Sequence, residues 1–306
     1  MKLFFTATLL SALTALIPIP TQADNPLIAV FLSRDLEPHR EALAGFREEL
    51  EKASIEADWE EYHLRGEEAE IGEAVRRALE KEPDLIFTLG TSATQIAAGN
   101  TDRIPIVFAN VLNPRASGVI DDYDDPDKNI TGASLDFRPE EVIAVLENLK
   151  PGSRTIGLIY LNPQFNALVD EIETAFRDSG KELLHRRIDN LGNLDRAAEE
   201  ILERSDAFWM IAAHHLFSPR TTKYLLLETL RHRIPFIGIS PSYVRAGALF
   251  CLYWDSRDIG RQAGQSAIKI LEGNPPDRIP VQRPREKRIF INQAVAVNLD
   301  IEIPET

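Results

Sequence analysis

Two stretches of this chain, RIPIVFAN at 103–110 and RIPFIGIS at 233–240, are nearly the same strand written twice. Each opens Arg-Ile-Pro, continues with four mostly apolar residues and ends small or polar. Proline is tolerated at the start of a strand, where its missing N–H removes no ladder bond. The surroundings repeat as well. Before the first copy, LIAVFLS (27–33) is an apolar run of strand length, and EALAGFREELEKA (41–53) carries Leu43, Phe46 and Leu50 at helical spacing. Ile71, Val75 and Leu79 mark a second helix, and Leu85–Leu89 a buried strand that Gly90 turns into a third helix. Before the second copy, TIGLIYLN (155–162) is a strand and ALVDEIETAFRDSG (167–180) a helix with Leu168, Ile172 and Phe176 on one face, ended by Gly180. Another helix leads to a predicted strand Ala207–Ala213, and KYLLLETL to the second Ile-Pro strand. Both halves follow the order strand, helix, strand, helix, strand, helix, strand. Strands that alternate with helices and lack polar alternation belong to parallel sheets covered on both faces. The predicted fold is therefore α/β, with two Rossmann-like lobes, and 306 residues suffice to give each its own core.

In such sheets ligands bind beyond the carboxyl ends of the strands. Two lobes facing each other bring both sets of ends to one cleft. The candidate ligand-binding residues are those that follow the predicted strands. They are Ser33 and Arg34, Thr91 and Ser92, and Asn110 and Asn113 in the first half. In the second half they are Asn162, Phe165, Asn166 and His214, with Ser240 and Tyr243 after the second Ile-Pro strand. Hydroxyls and amides dominate the set, which suits hydrogen bonding to a small polar molecule. Helix N-termini in the same loops can hold a carboxylate.

The first 23 residues stand apart from this pattern. Lys2 is their only charge, an apolar run follows to about Ile19, and Thr21-Gln22-Ala23 is a small-x-small cleavage site. That layout is a secretory signal peptide, which predicts an exported, periplasmic protein. Cys251 is the sole cysteine, so an internal disulfide is impossible and no cysteine follows the apolar run to carry a lipid. A formal charge of −14 argues against nucleic acid or an anionic membrane as the main partner.

Other signals are weaker. GTSAT (90–94) approaches a nucleophile elbow but ends in Thr, and a hydrolase built on Ser92 would need a base such as His214. His214 and His215 leave a strand in opposite directions, which makes them poor joint metal ligands. DDYDDPDKN (121–129) lacks the spacing of a calcium loop and reads as a solvated loop, and RPREKR (283–288) as an exposed turn. There is no Walker-type loop and no G-x-G-x-x-G, so no nucleotide or other cofactor is expected, and no catalytic residue is assigned.

Seven segments taken in order carry a resemblance. They are PDLIFTLGTSATQIA (83–97), IPIVFANVLNP (104–114), NITGASL (129–135), TIGLIYLNP (155–163), YVRAGALF (243–250), DIGRQAGQSAIKILEG (258–273) and INQAVAVNLDIEIP (291–304). Together they resemble the ABC-transporter substrate-binding family often described as tryptophan/tyrosine binders, and the match runs through essentially the whole chain after residue 23. The resemblance implies a type I periplasmic binding protein fold that closes about a hinge. One lobe would comprise 24–132 plus about 250–274, the other 133–249 plus about 275–306. It further implies a small-molecule ligand, an ABC permease in the inner membrane as partner, and a monomer. A membrane signalling receptor fed by the same fold is the alternative partner. Phe165 and Asn166 at a helix start, and Asp255 in the cleft-side hinge, match the family's site positions. Two positions depart: Asn113 and Ser240 stand where aromatic amino-acid binders carry Asp, which removes acids expected near a ligand ammonium. Phe108, Phe165, Phe217, Tyr243 and Trp254 are aromatic candidates for a planar ligand, each equally a core candidate.

Overall fold

A computed structural model describes residues 25–304 apart from residues 65, 127 and 212–215. Residues 1–23, expected from the sequence to be a signal peptide, and His214 lie outside the described residues. The first half runs β1 (Leu27–Leu32), α1 (Glu37–Lys52), β2 (Asp58–His63), α2 (Glu68–Leu79), β3 (Leu85–Leu89), α3 (Thr91–Asn100), β4 (Ile106–Val111) and β5 (Ile130–Ser134). The second runs α4 (Pro139–Leu149), β6 (Thr155–Tyr160), α5 (Asn166–Asp178), β7 (Glu182–Arg187), α6 (Leu194–Leu202), β8 (Ala207–Trp209), α7 (Pro219–Arg231), β9 (Phe236–Ile237), α8 (Pro241–Ala246) and β10 (Phe250–Trp254). Then come α9 (Ser256–Leu271), β11 (Lys287–Ile291) and α10 (Gln293–Asn298).

The strands form two sheets, ordered β2-β1-β3-β4-β5 and β11-β10-β9-β8-β6-β7. All pairs are parallel except β10 with β11. The α/β architecture with two parallel-sheet lobes is as the sequence predicts. The two Ile-Pro strands, β4 and β9, occupy the same place in their sheets, and their prolines do the same work. Pro105 O accepts from Ile86 N at 2.9 Å, and Pro235 O accepts from Phe208 N at 2.9 Å. A second duplication lies under the first. Asp84 and Asp206, just before β3 and β8, each donate a backbone N–H to the start of β1 or β6 and accept one back: Leu27 N to Asp84 Oδ2 at 2.8 Å, Thr155 N to Asp206 Oδ2 at 2.9 Å. Two of the four edge strands, β2 and β7, DWEEYH and ELLHRR, are half-exposed and carry no continuous apolar run.

The chain passes between lobes three times. The first passage follows β5 at 135–138. Strand β10 is hydrogen-bonded into the second sheet beside β9, so residues 250–254, expected in the first lobe, belong to the second sheet. The second passage is therefore at Asp255. Helix α9 returns to pack on α1, so closely that a Cβ on Gly260 would stand 1.9 Å from the Ala42 carbonyl oxygen. The stretch after α9, expected in the second lobe from about 275, remains with the first as far as Gln282. There Gln282 N donates to Gly132 O at 2.9 Å and Gln282 O accepts from Ser134 N at 2.8 Å. The third passage is then 283–286, leading into β11. Apolar side chains decide these memberships: Phe250, Cys251 and Leu252 are buried in the second core, whereas Ile279 and Val281 are buried in the first.

Candidate functional site

A bulge opens the site. Between Ala109 and Val111 the β4–β5 register shifts, with Asn110 in the left-handed region at φ 58°. Asparagine tolerates that conformation better than most residues, and a bulge re-aims the strand that carries it. The chain then turns, with Asn113 also left-handed at φ 49°, and presents Leu112, Asn113 and Arg115 to the space between the lobes. Across that space stand the ends of β8 and β9, represented by Met210, Ile211, Gly238 and Ile239, and one face of α5 with Leu168, Glu171 and Ile172. The passages between lobes complete the wall with Asp136, Phe137, Trp254 and Arg283. The cavity has a volume of about 90 Å³. Its walls are mostly apolar. Phe137 and Trp254 lie side by side with ring centroids 6.2 Å apart, and Trp209 contributes a third ring.

Four charged groups and one phenol break the apolar lining, and they form one connected system. Tyr123 donates its hydroxyl to Asp136 Oδ2 at 2.5 Å, and Asn113 donates its backbone N–H to Asp136 Oδ1 at 2.9 Å. The guanidinium of Arg283 lies over the Tyr123 ring, 3.8 Å from its centroid, in a cation–π contact. Glu171 accepts from Arg283 at 3.0 Å and from Arg115 at 3.3 Å, joining the second lobe to the first and to the third passage. Burial pushes the Asp136 carboxyl above the usual carboxylate range. The Tyr123 hydroxyl, the Asn113 N–H and the charge of Arg283 act against that shift, and Glu171 adds to it. Burial and the neighbouring carboxylate push the Tyr123 phenol up.

Of the residues singled out from sequence, Asn113 and the aromatic candidate Trp254 line this cavity. Asn113 does so through its backbone, whose N–H holds the carboxylate of Asp136. The others sit elsewhere along the strand ends. Ser33 Oγ donates to Leu89 O at 3.0 Å, Arg34 is exposed, and Thr91 and Ser92 begin α3 with Ser92 exposed. No hydrogen bond from the Ser92 hydroxyl occurs among the described residues. Asn110 is buried and donates to Pro38 O at 2.9 Å. Asn162 precedes a 3-10 turn ending at Phe165, which is buried in the second core, and Asn166 accepts from the Tyr160 hydroxyl at 3.1 Å. Ser240 pairs with Ser242 at 2.7 Å, and Tyr243 packs against the second core. Asp255 caps α9 by accepting from Arg257 N at 2.9 Å and Asp258 N at 3.2 Å. Phe108 and Phe217 are core residues. The sequence reading missed Tyr123, Asp136, Glu171, Arg115 and Arg283. Tyr123 and Arg283 came from the two charge-rich stretches taken for solvated loop and exposed turn; the apolar tyrosine amid five acids was the available signal.

The comparisons agree with this architecture. The model of the ABC transporter substrate binding protein family matches residues 27–306. A tyrosine-binding protein of Clostridioides difficile (strain R20291) is 26% identical over 221 residues, which is 72% of this chain. The aligned region spans 64% of that relative's length, just under two thirds. Among solved structures, a substrate-binding protein with adhesive properties from Clostridium difficile, in its ligand-free, open form, superposes with a TM-score of 0.74 at 20% identity, covering 91% of this chain and 96% of the other. The ABC domain in complex with L-Trp from Streptococcus pneumonia superposes with a TM-score of 0.67 at 19% identity, covering 92% and 96%. These two likenesses establish the shared fold. With the family model matched from the first strand to the end of the chain, this protein belongs to the ABC transporter substrate binding protein family.

Proposed function

We propose that the protein is an exported, periplasmic solute receptor that captures one small molecule in the cavity between its lobes and presents it to an ABC permease. The observation that carries this reading is the position of the cavity. It lies beyond the carboxyl ends of both parallel sheets and is walled by the first and third passages between lobes and by Trp254 just before the second, so a guest touches both lobes and segments that must bend. Three aromatic rings favour a planar apolar body. The tyrosine bound by one relative and the L-Trp bound by a solved neighbour are of that kind. No chemistry is required of the receptor; closure is its mechanism. The chain works as a monomer after removal of residues 1–23.

The test is a thermal-shift screen of the mature chain with amino acids, aromatic acids, purines and small carboxylates. A ligand that binds only the folded state raises Tm in a concentration-dependent way. The expected result is a shift from an aromatic compound that Trp254→Ala weakens by about 10- to 100-fold in Kd, because a guest covering about 55–110 Å² of the indole face at about 25 cal/mol per Å² gains about 1.4–2.7 kcal/mol there. A shift that Trp254→Ala leaves unchanged would place the ligand elsewhere, and a screen without any shift would count against this class of guest.

A further inference from the structure

The charges in the cavity are not equally satisfied. The two guanidiniums of Arg115 and Arg283 share the carboxylate of Glu171, one on each oxygen. Asp136 has no such partner. It receives two hydrogen bonds, from the Tyr123 hydroxyl and the Asn113 backbone N–H, and these use two of the roughly four acceptor positions a carboxylate offers. Among the described residues no Lys, Arg or His nitrogen forms an ion pair with Asp136. Arg283, the cation whose charge acts on Asp136, is directed to Glu171 and stacked on the Tyr123 ring. A carboxylate in a mostly apolar cavity, oriented by fixed donors and lacking a cation, is costly unless a guest supplies one.

The backbone keeps it there. Leu135 N donates to Val111 O at 2.9 Å, tying the first passage to the end of the bulged strand, and Asp136 N donates to Ser134 Oγ at 3.3 Å. The side chain therefore points into the cavity next to Asn113, beside the aromatic pair Phe137 and Trp254.

Resting on the capture reading above, we propose that Asp136 is the residue that selects the ligand, by accepting the ammonium of an amine whose apolar body lies against Trp254 and Phe137. Tyr123 and Asn113 are positioning residues that fix the carboxylate. The amine is the required feature; a compound with the same ring and a carboxylate but no amine is excluded.

Calorimetric titration of the mature chain with two matched series tests this. The series are L-tryptophan, tryptamine and indole-3-propionate, and L-tyrosine, tyramine and the corresponding deaminated acid. Each is titrated into the parent, Asp136→Asn and Tyr123→Phe. The expected result is binding of amine-bearing members only, weakened about 30-fold or more in Asp136→Asn, with a smaller loss in Tyr123→Phe. Asn at 136 is isosteric and still accepts from Asn113 N–H, so its Tm in the absence of ligand is expected to be no lower than the parent's, which separates lost recognition from lost folding. Deaminated acids binding as tightly as the amines, or Asp136→Asn binding as the parent does, would overturn the proposal while leaving capture in the cavity standing. Absence of binding by both series would overturn it too, and the broader screen with Trp254→Ala would then decide separately whether the cavity captures a guest of another class.

Discussion

The carboxyl of Asp136 loses water when the first passage carries it against Tyr123, and its pKa rises in the folded state. The sign of the stability effect follows. A folded carboxyl that holds its proton more tightly than the unfolded one binds more protons in the native state, so stability falls as pH rises from the unfolded value of about 4 through the folded value, and stays lower above it. The groups facing Asp136 are Tyr123, Arg283 and the Asn113 N–H, which limit the rise, and Glu171, which enlarges it. Asp136→Asn removes this one titration and leaves the others, so the Tm of the ligand-free variant relative to the parent is expected to climb between about pH 4 and neutrality. Melting both proteins across that range checks it; a constant difference would mean that the carboxyl is not destabilised by its burial. The same residue shows why the site was only partly legible. Reading the ends of strands locates the cleft, and Asn113 and Trp254 fall within it. Asp136 lies in a passage between lobes, and Arg283 and Tyr123 in segments whose composition is that of solvent-facing loops. What brings them together is the bulge at Asn110 and the bridge at Gln282, and the second is a contact between residues more than a hundred positions apart, 282 with 132 and 134.

At the scale of the element, duplication governs. The Ile-Pro strands are equivalent down to a proline carbonyl that accepts from the neighbouring strand, and the aspartates before β3 and β8 tie down the start of β1 and β6. The two ties differ in one respect. Asp206 Oδ2 accepts from Arg154 N at 2.7 Å as well as from Thr155 N at 2.9 Å, whereas Asp84 Oδ2 accepts from Leu27 N alone. Hydrogen bonds to a charged group contribute about 1.5–3 kcal/mol each at most sites, and both aspartates are partly exposed, which lowers the figure. Asp206→Ala is therefore expected to cost about 1–3 kcal/mol of stability and Asp84→Ala less; denaturant unfolding of the two variants measures the order, and a larger loss at Asp84 would contradict it. The buried strands were legible as apolar runs, and the helices as stripes at a spacing of three to four. The edge strands β2 and β7 were not. An edge strand has one neighbour and a solvated side, so it carries charge rather than a continuous apolar signal, and DWEEYH and ELLHRR follow that rule.

For the whole molecule, the path of the chain matters more than the number of its lobes. Three passages, at 135–138, at Asp255 and at 283–286, share the hinge, and each contributes to the cavity wall or caps a neighbouring helix. The resemblance puts the boundaries at 132–133, near 250 and near 275; the chain leaves the first sheet after β5, and the other two passages fall later because Phe250–Leu252 still join the second core and Ile279 and Val281 the first. Asp136, Trp254 and Arg283 stand at or next to a passage, and Glu171 spans from the second lobe to Arg115 of the first, so the proposed binding site coincides with the segments between lobes. A guest that fills the cavity is expected to draw the lobes together. The most direct measurement is small-angle X-ray scattering of the mature chain with and without the tightest compound from the binding experiments. The account predicts a smaller radius of gyration in the bound form, with no such change for Trp254→Ala at the same ligand concentration. A saturating ligand that leaves the radius of gyration of the parent unchanged would contradict capture by closure between the lobes.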